Sequence, residues 1–358
     1  MVSIIIPTFN EKINVIKITD RIKNALNNIY NYEIIFIDDS LDNTPEYLKS
    51  LNSTHKNIRY SHRIGKRSLS TAVVCGINMS KGDIIVVMDG DLQHPPELLP
   101  EMIKYVEEGW DIVIPSRHLT DEDKNGLTIS RKIISNTASI IGKIFLSKLK
   151  NISDPTSGFF AFKKNILDDV ILNPIGWKIL IEILVRAKYN KIKEIPYKFE
   201  KRSYGNSKMS FIEQINYLKH IFRLVLYSVD DRRIFIFAMI GSLGVLINMI
   251  FYNIFIFYGV NISISGTLSA LIAMFGNFIL NRNITWKDKK TEKIILEILK
   301  FFTISSCGII INIVILYSLH YKLKINYNIS NLGGILGAVL WNYNLNRLWT
   351  WRNNLRSF

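Results

Sequence analysis

The stretch Val86-Val-Met-Asp-Gly-Asp-Leu-Gln-His-Pro-Pro-Glu97 passes from an apolar run into Asp89, Asp91, Gln93 and His94 within a few residues. Hard divalent cations such as Mg2+ or Mn2+ take oxygen ligands, commonly one or two carboxylates completed by substrate phosphates. Asp89 and Asp91 supply two carboxylates, Gln93 adds an amide carbonyl, and Gly90 lets backbone and ligand approach closely. A metal held there would act as a Lewis acid, neutralising a diphosphate leaving group as its bond breaks. A bare Asp-x-Asp is also what a solvated strand-end turn looks like, so the pattern takes its meaning from its surroundings. His94, beside Pro95, is read as shaping the turn, and His62 and His118 give no stronger signal of a base.

The elements that must position these groups follow from the apolar pattern. Val2–Ile6, Glu33–Ile37, Ile58–Ser61, Ile84–Met88 and Asp111–Ile114 are nearly continuous apolar runs of strand length, as expected for strands covered on both faces. Helices are predicted between them at about 11–28, 44–52, 67–80 and 96–108, with Pro95 and Pro96 at the start of the last and Gly109 at its stop. This alternation predicts an α/β domain with a mostly parallel, Rossmann-like sheet. In such sheets ligands bind at the carboxyl ends of the strands. Pro7-Thr-Phe-Asn-Glu11, Asp38-Asp-Ser40 and Asp89-Gly-Asp91 all follow strands, so they converge on one rim.

Charge and hydropathy divide the 358 residues. Residues 1–125 carry 14 Lys+Arg against 18 Asp+Glu, whereas 126–358 carry 31 against 12. Basic residues bordering long apolar spans point to anionic lipid headgroups rather than nucleic acid, for which no motif is present. Cys75 and Cys307 are isolated among apolar residues and suit neither a disulfide framework nor a cysteine metal site. The N-terminus lacks a basic start and a secretory apolar run, which leaves the first domain in the cytoplasm.

Two basic amphipathic helices are expected near 129–149, with Ile133, Ile134, Ile141, Ile144 and Phe145 along a stripe, and near 208–228, with Phe211, Ile215, Leu218, Phe222 and Val225. Such helices lie in a membrane interface or cover the sheet. No Asp, Glu, Lys or Arg occurs from Ile234 to Asn281, and uncharged runs Phe301–Tyr321 and Ile325–Asn346 follow, predicting an all-α transmembrane domain of four helices. The 282–293 loop holds Arg282, Lys287, Lys289, Lys290 and Lys293, which puts it and the first domain on the cytoplasmic side of the cell membrane. Gly244-Val-Leu-Ile-Asn248 matches Gly308-Ile-Ile-Ile-Asn312, and Asn277–Trp286 matches Asn342–Trp351 as Asn-x-x-Leu-Asn-Arg-x-x-Thr-Trp, implying two repeated helical hairpins. By itself this repeat is weak for function: Asn, Arg and Trp at a helix end suit interface anchoring.

Taken in order, Ile6–Glu11, Asp38-Asp-Ser40, Met88–Glu97, Ser116-Arg117, Asp154-Pro-Thr-Ser-Gly-Phe-Phe160, Pro174-Ile-Gly-Trp-Lys-Ile-Leu180 and Lys201–Lys208 resemble the polyprenyl-phosphate glycosyltransferases of glycosyltransferase family 2. Within that family the likeness is to the archaeal type of dolichyl-phosphate mannose synthase. It covers residues 1 to about 228, a cytoplasmic GT-A domain 1–228; residues 229–358 are similar to a GtrA-like membrane domain. The resemblance implies a GT-A fold, a nucleotide-sugar donor, a divalent metal and inversion at the anomeric carbon. It further implies that Pro7, Thr8, Glu11 and Asp39 contact the nucleoside and that Asp89, Asp91 and Gln93 bind metal and diphosphate. Arg117, Arg131, Ser135, Arg202 and Lys208 become the phosphate-binding group on donor and acceptor, with Asp89, Asp91 and Arg117 closest to the chemistry.

An acceptor phosphate is already anionic near neutral pH, so positioning and charge stabilisation carry the reaction without a strong base. Arg131 and Ser135 lie four apart, on one face of the predicted interfacial helix. The sequence departs from the family in Gly90, where Ala is common, and in Ser68 and Ser70, where glycine is common. The expected reaction is transfer of mannose from GDP-mannose to dolichyl or polyprenyl phosphate. The alternatives are a UDP-hexose donor such as UDP-glucose and, from a different class, a non-catalytic lipid-binding or lipid-translocating membrane protein.

Overall fold

The computed structural model describes residues 1–26, 29–65, 68–119, 129–198, 200, 211–289, 291 and 293–352, apart from the side chains of 129–136 and 211. The chain divides into two compact units, Met1–Ser228 and Val229–Phe358.

The first unit is built on a seven-stranded sheet. Its strands are β1 (Val2–Thr8), β2 (Tyr32–Asp38), β3 (Ile58–His62), β4 (Ile84–Val87), β5 (Ile112–Ser116), β6 (Phe160–Lys163) and β7 (Ile192–Pro196), in the order β3-β2-β1-β4-β6-β5-β7. All pairings are parallel except those of β6, which runs antiparallel between β4 and β5. The sheet is mostly parallel, as the strand pattern predicts, and its arrangement is the GT-A-like one that the family resemblance implies. Its apolar runs are continuous because both faces are buried: Ile4 and Ile6 enter one core cluster and Ile5 the opposite one.

Helices α1 (Asn14–Leu26), α2 (Thr44–Thr54), α3 (Leu69–Met79) and α4 (Leu99–Glu107) connect the strands. Local chemistry sets their ends. The Asp42 carboxylate accepts the Thr44 N–H at 3.0 Å just ahead of Pro45, and α4 stops at Gly109, whose φ of 105° suits a residue without Cβ. Helices α5 (Ile129–Phe145), α6 (Ile179–Arg186) and α7 (Phe211–Tyr227) complete the unit.

Helix α7 serves both readings of its pattern. Tyr217, Ile221, Leu224 and Val225 enter the core, so Val225 leaves the stripe expected of it, while Ile215, Leu218 and Phe222 stay exposed. Ile144 and Phe145 of α5 are exposed as well.

The second unit contains α8 (Val229–Phe257), α9 (Ile262–Leu280), α10 (Ile294–Tyr317) and α11 (Tyr327–Leu345). Among the described residues, three helices are long and apolar enough to cross a membrane: Val229–Phe257, Ile262–Thr285 and Ile294–Lys322. Of the four expected spans, the last forms as the 19-residue α11, but Asn328, Asn331, Asn342 and Asn344 lower its apolarity and it does not meet the same standard.

The repeat is structural in detail. Asn261 and Asn326 cap α9 and α11 by accepting the N–H of the second residue on. Asn277 lies against Gly244 and Asn342 against Gly308, where an added Cβ would meet an amide atom at 2.3 and 2.4 Å. Both second helices end in a wider, π-type turn, Asn281–Thr285 and Asn346–Thr350, closed by Thr-to-Asn side-chain hydrogen bonds of 2.8 and 2.7 Å. Trp286 and Trp351 do not behave as interface anchors. They are fully buried and stack on each other, centroids 5.6 Å apart, because the two turns bring equivalent residues together.

Candidate active site

The site forms where β1, β2, β4 and β5 end. At the end of β1, Thr8 donates its hydroxyl to Asp38 at 2.8 Å, and its carbonyl accepts the Asp39 N–H at 3.0 Å. Asp38 is fully buried and also receives the Ser40 hydroxyl at 2.5 Å, with His62 Nδ1 at 2.8 Å. Of the two adjacent aspartates, Asp38 therefore braces the rim. Asp39 is gripped by the Arg63 fork, Nε to Oδ1 at 2.8 Å and Nη2 to Oδ2 at 2.6 Å. Glu11 starts α1: its carboxylate accepts the Asn14 amide at 2.6 Å and its N–H donates to Thr44 Oγ1 at 3.1 Å. Pro7, Thr8, Glu11 and Asp39 thus share one edge.

Beyond β4 the chain turns sharply, with Leu92 in the left-handed region at φ 63° although it is a bulky buried residue. The turn is held by the Gln93 N–H donating to Asp91 Oδ1 at 3.1 Å and by a pair of contacts to Glu200, one from Gln93 Nε2 at 3.2 Å. A Cβ on Gly90 would sit 3.3 Å from Thr8 Cγ2, so alanine fits there after a small shift and this departure from the family pattern changes little. His94 does more than shape the turn. Its Nε2 lies 3.3 Å from Asp89 Oδ2 and its Nδ1 lies 3.2 Å from the Tyr197 hydroxyl, a chain that is consistent when Tyr197 donates to Nδ1 and Nε2–H donates to Asp89.

Beyond β5, Arg117 places Nε and Nη2 each 2.8 Å from Oδ2 of the fully buried Asp154. Burial alone would raise the Asp154 pKa, but the Arg117 charge and hydrogen bonds outweigh it and hold the carboxyl below the usual range. The segment carrying Asp154 is anchored in turn by Glu194 of β7, which accepts the Ser153 N–H at 2.9 Å and the Ser153 hydroxyl at 2.6 Å.

Arg131 and Ser135 lie on the backbone of α5, but their side chains fall outside the described residues, as do Arg202 and Lys208 entirely. Arg63, Asp154 and Tyr197 escaped the sequence reading as residues of this rim. Asp154 was present in a motif, whereas Arg63 and Tyr197 had no local signal.

Among the described residues no three His, Cys, Asp or Glu side chains form a metal-ligand cluster. The donor set nevertheless fits a hard cation shared with a diphosphate: two carboxylates, Asp89 and Asp91, and the Gln93 amide, whose nitrogen donates to the Glu200 carbonyl and so leaves Oε1 as the amide's acceptor. Gly158 makes room for this set, since a Cβ there would lie 2.6 Å from Asp89 Oδ2.

A GT-A-like sheet with paired carboxylates and an arginine at its strand ends, followed by apolar helices, defines a membrane-associated glycosyltransferase. Residues 3–171 match the glycosyl transferase family 2 model and residues 236–351 match the GtrA/DPMS transmembrane domain. The chain is 39% identical over 351 residues to the dolichol-phosphate mannosyltransferase of Pyrococcus furiosus, covering 98% of this chain and 99% of that protein. It is 31% identical over 254 residues to the protein of the same name from Saccharomyces cerevisiae, covering 67% of this chain and 93% of that one. Glucosyl-3-phosphoglycerate synthase from Mycobacterium tuberculosis superposes with a TM-score of 0.48 at 18% identity, over 63% of this chain and 79% of that chain. The chain belongs to glycosyltransferase family 2, in the branch that carries a GtrA/DPMS transmembrane domain, and is a membrane-bound enzyme.

Proposed function

We propose that this enzyme transfers mannose from GDP-mannose to the phosphate of dolichyl or polyprenyl phosphate, with inversion, at the cytoplasmic face of the cell membrane. The observation that carries the proposal is the likeness along 98% of the chain to a dolichol-phosphate mannosyltransferase, joined to a rim where Asp89, Asp91 and Arg117 follow strand ends.

In this reading Pro7, Thr8, Glu11 and Asp39 hold the nucleoside, with Arg63 fixing the Asp39 carboxylate. Asp89, Asp91 and Gln93 hold a Mg2+ or Mn2+ ion, which when bound supplies Lewis-acid neutralisation of the diphosphate. Arg117, aimed by Asp154, orients a phosphate oxygen, and Arg131, Ser135, Arg202 and Lys208 join it around donor and acceptor phosphates. The acceptor oxygen is anionic at neutral pH, so these residues need only place it in line with the anomeric carbon and stabilise charge. The exposed apolar residues of α5 and α7, next to Lys143, Lys219 and Arg223, suit contact with lipid.

The test is a radiolabelled donor panel, GDP-mannose and UDP-glucose at equal concentration, with dolichyl phosphate and Mg2+ or Mn2+. Mannosyl lipid formed from GDP-mannose alone is expected. Product from UDP-glucose alone moves the assignment to a glucosyltransferase, and no sugar-lipid from any donor ends the enzymatic reading.

A further inference from the structure

The five residues Asp154–Gly158 arrange three charged side chains at once. Asp154 holds Arg117 at 2.8 Å, the Thr156 carbonyl accepts from Lys178 Nζ at 3.0 Å, and Gly158 leaves space for Asp89. The two cations differ. Arg117 is compensated by a buried carboxylate, whereas Lys178, among the described residues, has only the neutral Thr156 carbonyl as a hydrogen-bond partner.

An ammonium has three donors, and the half-buried Lys178 commits one of them to a neutral carbonyl with another cation, Arg117, nearby. The Lys178 pKa is pulled down, first by burial and then by Arg117, against smaller opposing effects of Asp154 and Asp89. The loop keeps it there all the same. Ser68 donates its hydroxyl to the Gly176 carbonyl at 2.9 Å, and Gly176 takes a φ of 74° two residues before Lys178. Ser68 also accepts Arg63 Nη2 at 3.1 Å, so the segment that fixes Asp39 fixes the lysine loop as well. A half-buried cation near Asp89, hydrogen-bonded to a neutral carbonyl and to no carboxylate among the described residues, is arranged for an anion that arrives with substrate.

We propose that Lys178 is a further phosphate-binding residue of the transferase, its ammonium contacting a substrate phosphate oxygen next to Asp89 and Arg117. The proposal rests on the transferase reading above and adds a residue to it. The phosphate belongs either to the nucleotide or to the lipid acceptor; both present the same oxyanion to the lysine.

The experiment compares full-length wild type, Lys178→Met and Lys178→Arg in detergent micelles with Mg2+. Thermal stabilisation by GDP and by dolichyl phosphate is measured alongside steady-state transfer. Lys178→Met is expected to lower kcat/KM about 100-fold, with Lys178→Arg recovering at least about tenfold. Without ligand, Lys178→Met is expected to melt no lower than wild type, because it removes a charge that no carboxylate among the described residues pairs by hydrogen bond. Loss of stabilisation by GDP alone assigns the lysine to the donor, and loss of stabilisation by dolichyl phosphate alone assigns it to the acceptor. A Lys178→Met enzyme that keeps both stabilisations and stays within twofold of wild type overturns the proposal. So does one that melts well below wild type, which makes the lysine a structural tie. The stabilisation measurements need no turnover, so a wild type inactive toward every donor ends the functional reading and leaves this question decidable.

Discussion

Gly158 and Asp89 are fitted to one another: the position a Cβ would occupy on Gly158 lies 2.6 Å from Asp89 Oδ2 and 3.1 Å from Oδ1 and Cγ. Only a residue without a side chain lets the carboxylate keep its place on the rim. Gly158→Ala is therefore expected to push Asp89 aside while leaving the sheet intact. A displacement of this order costs about 100-fold in kcat/KM. Melting temperature, together with Mn2+ affinity from electron paramagnetic resonance, checks the cause. Weaker Mn2+ binding at an unchanged melting temperature is expected, and normal binding contradicts the assignment of Asp89 to the metal.

Arg63 is the unforeseen member of the donor edge. Its guanidinium satisfies both oxygens of the buried Asp39 and also donates to Thr71 Oγ1 at 3.1 Å and the Ser68 carbonyl. Removing it leaves a carboxylate desolvated without its partner, a loss of about 3 kcal/mol. Arg63→Met is thus expected to lower stability in urea by that order and to raise the donor KM. Asp39→Asn/Arg63→Met should destabilise less than the two single changes added together, and strict additivity would argue against coupling between them.

How far these relationships could be read in advance depends on their range in the chain. The strand-end clusters at Thr8, Asp39 and Asp89 were legible because strands buried on both faces leave uninterrupted apolar runs that stop where polarity begins. Strands β6 and β7 were not legible. Phe160–Lys163 is only four residues long, and its antiparallel place between β4 and β5 is fixed by tertiary pairing. Likewise nothing local separates Asp38 from Asp39; their roles diverge because His62 and Arg63, more than 20 residues on, each claim one of them. The Trp repeat was visible, but its burial depended on two turns meeting in space.

The Asp154–Arg117 pair gives acid sensitivity a definite sign. The folded pKa of Asp154 lies below its unfolded value, so the pair's contribution is complete above about pH 4, the unfolded value, and is lost as pH falls through the lower folded pKa. Melting temperatures of wild type and Asp154→Asn, followed from pH 7 down to pH 3, are expected to converge in the acid range. At neutral pH the variant should be less stable by about 3 kcal/mol, since Arg117 then loses the buried carboxylate that both Nε and Nη2 contact. A gap between the two that stays constant with pH would exclude this pair as the source.

In the membrane unit the two halves meet through Trp286 and Trp351, whose rings stack at 15° and also lie against Tyr343 and Phe278 respectively. Truncating either fully buried indole to alanine leaves a large void, costing about 3–5 kcal/mol. The stacking is shared, so the double change is expected to cost about 1 kcal/mol less than the sum of the singles. Neither buried indole N–H has a hydrogen-bond partner among the described residues, so phenylalanine keeps most of the packing and removes an unpaired donor. Trp286→Phe and Trp351→Phe should therefore be far milder than the alanine changes, and Trp349→Ala, on an exposed ring, should fall within about 0.5 kcal/mol of wild type. Unfolding in mixed detergent micelles, followed by intrinsic fluorescence of the full chain, reads all of these. If alanine at 286 or 351 is as mild as at 349, the two hairpins are not joined through this stack.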